Sequence, residues 1–186
     1  MIVKSDLTIS EFISLRFANV NLAPGQPINS AFIQFQVDES KNTEEGQFTI
    51  RAQADPNPET FGTDNGNISS RPVLSTEVSW TVPANTWEPA GEAGENQRTA
   101  DLTPLIEELL AQDGWQTGNA MVFTIEGTNT KVAESVEGDA AGAATLVVNA
   151  VTGGTDPLQA TDFPVTRGSE WAYWTGEMPD NWFDFD

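Results

Sequence analysis

Histidine and cysteine are both missing from the 186 residues, and lysine plus arginine number 8 against 28 aspartates and glutamates. Without imidazole or thiol there is no Ser-His-Asp or Cys-His nucleophile, no His base poised near neutral pH, no ordinary zinc site and no disulfide. The formal net charge of −20 works against nucleic-acid binding, because phosphate backbones are held by Lys/Arg contacts that release counterions. A phosphate-cradling Gly-Lys-Ser/Thr loop and a dinucleotide fingerprint are also missing. No run approaches the roughly 18 apolar residues that span a bilayer. Residues 1–12 lack a basic region followed by an apolar one, so they do not read as a signal peptide.

What is present is aromatic as well as acidic. Six Trp and ten Phe separate this chain from a disordered acidic tail, which would be poor in aromatics. The acid reads as a solvated shell, suited to saline or calcium-containing surroundings where self-repulsion is screened. The length predicts one domain with an appendage, large enough to bury a core without staples.

Short strands separated by turn-rich loops dominate the first two-thirds. Ser14 to Val20 alternates with period two before the Ala23-Pro24-Gly25-Gln26-Pro27 break. Ala31, Ile33, Phe35 and Val37 share one face of the clearest half-buried strand, with Gln34 and Gln36 on the other. Phe48 to Ala52, Ser75 to Trp80, Ala120 to Ile125, Lys131 to Val136 and Thr145 to Asn149 continue the series. One helix is predicted, capped by Thr103 with Pro104 at its first position, an apolar face of Leu105, Ile106, Leu109 and Leu110, and a stop at Gly114. No fixed-period repeat occurs. The pattern predicts an all-β, antiparallel jelly-roll β-sandwich with one short helix over residues 1–150. Residues 151–162 read as a linker, and residues 163–186, crowded with Phe163, Trp171, Tyr173, Trp174, Trp182, Phe183 and Phe185, as the start of a truncated second module.

Oxygen ligands make calcium the metal to test. Asp55-Pro56-Asn57-Pro58-Glu59 begins like an EF-hand loop but has Thr60 where the sharp-turn Gly belongs, and two foreign prolines. Asp38 and Glu39 at one strand end and Glu134 in a late strand are the candidates to converge on one sandwich edge, each also readable as a solvated strand end. A sugar site needs an aromatic platform flanked by polar groups. Trp80, Trp87 and Trp115 are the candidates, each also readable as core, with Trp87 the most even case. Arg98 and Lys131 are candidate contacts to the same ligand, and Arg98 also stands near enough to Asp101 to pair with it internally. With 28 acidic residues, a glycosidase-like carboxylate pair would arise by chance and carries no signal.

The order of motifs resembles the DNRLRE-like modules, jelly-roll sandwiches of secreted bacterial proteins. The resemblance runs through Leu15-Arg16-Phe17-Ala18-Asn19-Val20-Asn21-Leu22-Ala23-Pro24-Gly25, Ile28 to Phe35, Asp38-Glu39, Ile68-Ser69-Ser70-Arg71, Val78-Ser79-Trp80, Trp87, Gln97-Arg98-Thr99, Asp101-Leu102, Ile106, Gly114-Trp115, Gly118-Asn119-Ala120 and Ala133-Glu134-Ser135. It covers nearly all of residues 15–150. Against the family pattern, the leading strand before Ser5-Asp6-Leu7 is expected to be missing, and Lys131 stands where relatives often carry Arg. The resemblance implies a carbohydrate-binding-type module of a larger exported protein, beside metallophosphoesterase, polysaccharide-degrading or adhesion domains, and located outside the cell or on its surface. The expected function is therefore non-catalytic binding of a polysaccharide or cell-surface component, with structural calcium at Asp38, Glu39 and Glu134. The alternative is a purely architectural accessory domain of an exported metallophosphoesterase, whose His-dependent metal chemistry would lie in a neighbouring domain.

Overall fold

Alternating apolar and polar residues set nearly every strand. The structure, a computed structural model, describes residues 2–3, 12–40 and 43–151. Its strands are β1 (Ile2–Val3), β2 (Phe12–Phe17), β3 (Ile28–Gln34), β4 (Val37–Glu39), β5 (Gly46–Gln53), β6 (Val73–Val82), β7 (Met121–Thr128), β8 (Lys131–Ala133) and β9 (Thr145–Ala150). All pairings are antiparallel: β2-β7-β5-β6 form a four-stranded sheet, β1-β8-β4 a second, and β3-β9 a third. The chain is thus all-β with one helix, and the leading strand expected to be missing is present as the short β1, which pairs with β8. The chain divides after Val151, and the residues on which the linker and second-module expectations fall lie outside the described residues.

The stretch expected as one strand from Ala31 to Val37 is two, β3 and β4, because its partners change. β3 pairs with β9, whereas β4 pairs with β8, and at the junction the Glu134 N–H donates to the Gln36 carbonyl. Ala31, Ile33, Phe35 and Val37 nonetheless all point into the core, as period two requires. Facing them are Phe48 and Ile50 of β5, Trp80 and Val82 of β6, and Met121, Phe123 and Ile125 of β7, so one apolar cluster is shared between the four-stranded sheet and the other strands. The strand expected from Lys131 to Val136 ends at Ala133, beyond which residues 135–142 coil through tight turns.

An irregular segment covers the outer edge of β3 and β4. Phe35 N–H donates to Gln97 O, Val37 N–H to Glu92 O, Thr99 N–H to Ile33 O and Leu102 N–H to Ala31 O. The Ile33 N–H adds a bond to the Thr99 hydroxyl. Backbone groups that would otherwise be orphaned are satisfied without a further regular strand.

Helix α1 (Thr103–Leu110) lays Leu105, Ile106, Leu109 and Leu110 into the core. It starts one residue earlier than expected, with Leu102 at the N-cap and Pro104 in the second helical position, and it ends at Leu110 with Ala111 as C-cap, before Gly114. The acceptor side chain at this terminus belongs to Asp101. Its Oδ1 takes the Thr103 N–H at 3.1 Å, the Thr103 hydroxyl at 2.8 Å and the Ala31 N–H at 3.0 Å, tying the helix start to β3. Burial pushes the Asp101 carboxyl up, but the bonds from Ala31 and Thr103 outweigh it and hold the group below its ordinary value.

Candidate functional site

The three tryptophans considered as sugar platforms all lie inside. Trp80, Trp87 and Trp115 are 5%, 4% and 4% exposed. Trp87 follows a Pro83-to-Thr86 turn that points it inward, where its ring lies 6.2 Å from both Phe35 and Trp80 and its Nε1–H donates to Val132 O at 2.8 Å. Phe35 stacks on Trp80 at 5.7 Å, and Phe48 closes the cluster 5.0 Å from Trp80. Trp115 Nε1–H donates to Leu22 O at 3.0 Å. Each indole ring is packed inside, and the Trp87 and Trp115 donors are both used, as buried Trp favours. None of these rings is open for a pyranose to stack on.

Lys131 is also interior, 2% exposed. Its aliphatic stem lies beside Gly46 and the Phe35–Phe48–Trp80–Trp87 cluster, and its Nζ donates to Glu44 O at 2.6 Å. Burial lowers its affinity for a proton, which nearby Glu44 only partly offsets. The residue works as a long apolar rod with a hydrogen-bonded tip, and it does not reach a surface site with Arg98.

Asp38 and Glu39 sit on β4 and Glu134 follows β8, so the two groups come to neighbouring strands: Val37 is opposite Ala133, and Glu39 opposite Val132 across an irregularity. Among the described residues no group of three or more Asp, Glu, His or Cys side chains gathers closely enough to hold a metal ion. The oxygens of Asp55 and Asn57 are used locally, accepting the N–H groups of Asn57 and Ala120.

Of the three expected sugar contacts, Trp87, Arg98 and Lys131, Arg98 is the one at the surface, with 41% of its side chain exposed. It does not pair with Asp101, whose oxygen is taken by Ala31 and Thr103. Its Nε–H donates to Gln34 Oε1 at 2.9 Å, its guanidinium lies 4.9 Å over the ring of Phe32, and Glu95 Oε1 is 4.0 Å from one terminal nitrogen. Gln34 is itself fixed, its amide donating to the carbonyls of Phe35 and Gly94. The arginine is placed by the edge-covering segment, which bridges Gln34 at Arg98.

Register then assembles the rest of this face. Ser30 pairs with Asn149, Phe32 with Val147 and Gln34 with Thr145, all pointing away from the core. Asn149 Nδ2–H donates to Ser30 Oγ at 2.8 Å. The outer surface of β3 and β9 is therefore an aromatic and aliphatic centre, Phe32 and Val147, between two polar pairs, with a cation held on the aromatic ring. Phe32 was not among the residues singled out from sequence. The alternation that buries Ala31, Ile33 and Phe35 already leaves Phe32 outside, and this is the signal that finds it.

Compared with models of known protein families, with curated proteins and with solved structures, the chain finds no match.

Proposed function

We propose that residues 1–151 are a non-catalytic jelly-roll module of an exported bacterial protein, and that the module binds carbohydrate through the outer surface of β3 and β9. The observation that carries this reading is the Arg98 guanidinium held 4.9 Å over the half-exposed Phe32 ring. An aromatic flanked by hydroxyl and amide side chains, here Ser30, Asn149, Thr145 and Gln34, is the chemistry that recognises a sugar's apolar face and its rim of hydroxyls together. The terminal nitrogens of Arg98 keep donors for hydroxyls or a uronate carboxylate. A non-catalytic role is supported by the missing imidazole and thiol. The net charge of −20 favours neutral glycans over polyanions, unless Arg98 meets the carboxylate directly.

The test is affinity electrophoresis of the full chain in gels containing neutral glycans, pectin or alginate, with and without calcium. Retardation by at least one glycan, reduced by Arg98→Ala and unchanged by the conservative buried substitution Lys131→Met, supports the reading. No retardation by any glycan removes it and leaves the architectural role.

A further inference from the structure

We propose that the gap between the edges of β2 and β9 is a docking groove for an extended polypeptide segment that carries alternating apolar side chains flanked by lysine or arginine, added as a further strand to β2. This groove shares only Thr145 with the β3–β9 outer face, and the proposal does not depend on the carbohydrate reading.

The protein treats its sheet edges unequally. The edge of β3 and β4 is hydrogen-bonded to residues 91–102. β6 is an edge too, but Ser75, Glu77, Ser79 and Thr81 line its exposed face, the polar dress that discourages pairing. Among the described residues β2 pairs only with β7, and β9 only with β3. No described strand pairs with their remaining edges, and the side chains there are apolar: Ile13, Leu15 and Phe17 on β2, and Leu146, Val148 and Ala150 on β9, are packed against the core yet half-exposed.

A cavity of about 600 Å³ is lined by the consecutive residues Ser14 to Phe17 together with Phe61, Val136 and Ala144. A second, of about 420 Å³, continues along Phe17 to Leu22 and is closed by Ala144, Leu146 and Val148. Consecutive residues of a strand point to opposite faces, so a cavity touching all of them runs along the strand's edge. That is the position of a missing neighbour. At about 3.3 Å per residue, β2 offers room for a strand of roughly six residues.

The walls are built to hold shape. Arg71 donates to the carbonyls of Glu59, Thr60 and Asn67 and lies 4.9 Å over the Phe61 ring, fixing that side chain at the rim. The same loop is tied to β2 by the Arg16 Nε–H, which donates to Pro58 O at 2.9 Å. Opposite, Val136 is 69% exposed, the most exposed of the large apolar side chains described.

Charge selects the occupant. Glu134 and Glu137 line the groove; its one lining cation, Arg16, already has its Nε–H turned to a backbone carbonyl, and Arg71 at the rim is engaged by three carbonyls and the Phe61 ring. With −20 on the whole chain, a second copy of this protein is repelled, whereas a basic segment is attracted. Strand addition supplies main-chain hydrogen bonds, and every second side chain of the guest enters the apolar gap.

The experiment titrates the full chain, at physiological salt, into a fluorescein-labelled peptide of alternating Val and Thr, about nine residues long, with lysines at both ends. Controls are the same peptide with Val replaced by Ser, with two residues replaced by Pro, and with Glu in place of Lys. Expected are a dissociation constant of about 10–100 μM for the first peptide and binding weaker by about tenfold or more for every control. Val136→Asp, a change at an exposed position, weakens binding of the first peptide by a similar factor, and bound peptide slows amide exchange in β2. Equal binding of the Ser or Pro peptide means charge attraction alone and overturns the proposal. So do failure of the first peptide to bind, indifference to Val136→Asp, and a concentration-dependent dimer whose formation protects β2.

Discussion

The indole N–H of Trp87 reaches across to the carbonyl of Val132 at 2.8 Å, joining the turn after β6 to strand β8 through the middle of the aromatic cluster. Trp87 is consequently a stability residue. Truncation to Ala removes packing against Phe35 and Trp80 and orphans a buried carbonyl. Unfolding in guanidinium is expected to show a loss of about 3–5 kcal/mol, with glycan affinity of the remaining folded fraction unchanged. Loss of affinity with intact stability would place the indole at a binding surface instead.

Lys131 separates shape from charge. Lys131→Met keeps the stem beside Phe48 and Trp80 and is expected to cost less than about 1.5 kcal/mol, whereas Lys131→Ala opens a cavity and costs about 2–4 kcal/mol. The lowered proton affinity of the folded state gives the pH dependence its sign. The penalty for burying the ammonium is complete below the folded pKa and is relieved as pH rises toward the ordinary value of 10.5. Denaturation midpoints should therefore rise for the natural chain relative to Lys131→Met as pH climbs through that window. A falling difference contradicts the burial account.

Asp101 behaves in the opposite range. Its carboxyl is held below the ordinary 3.8, so its contribution is present above that value and is lost as pH falls through the folded pKa. Asp101→Asn keeps an acceptor but cannot titrate, and its stability should fall less steeply than that of the natural chain under acid conditions. Asp101→Ala removes the acceptor for Ala31 and Thr103 and should cost about 1 kcal/mol at pH 7. Parallel acid curves for the natural chain and the Asn variant would show that the carboxylate contributes nothing.

Strand positions were readable from sequence because alternation is a local signal. Phe35, Phe48 and Ile50 advertise their inward face through their polar neighbours, residues 120–125 show as a near-continuous apolar run, and apart from β1 the expected strands fall on the observed ones with ends displaced by a few residues. The Ala31-to-Val37 break was not readable, since it comes from a change of partner from β9 to β8. The same limit applies to the site. Sequence offers Arg98 a ligand or the near-in-sequence Asp101 as partners, whereas the register of β3 supplies Gln34 and Phe32. Trp87 and Lys131 looked like surface chemistry because a turn and a charge suggest exposure. Their burial follows from long-range packing, in which a Trp donor finds Val132 and a lysine tip finds Glu44.

The most direct test of the central claim is where a retained glycan perturbs the backbone amides of the isotopically labelled chain. The carbohydrate reading predicts shifts confined to Ser30, Phe32, Gln34, Arg98, Thr145, Val147 and Asn149, with affinity reduced by about tenfold in Phe32→Ala. Shifts concentrated anywhere else on the protein, or none at glycan concentrations that retard it in a gel, would contradict it.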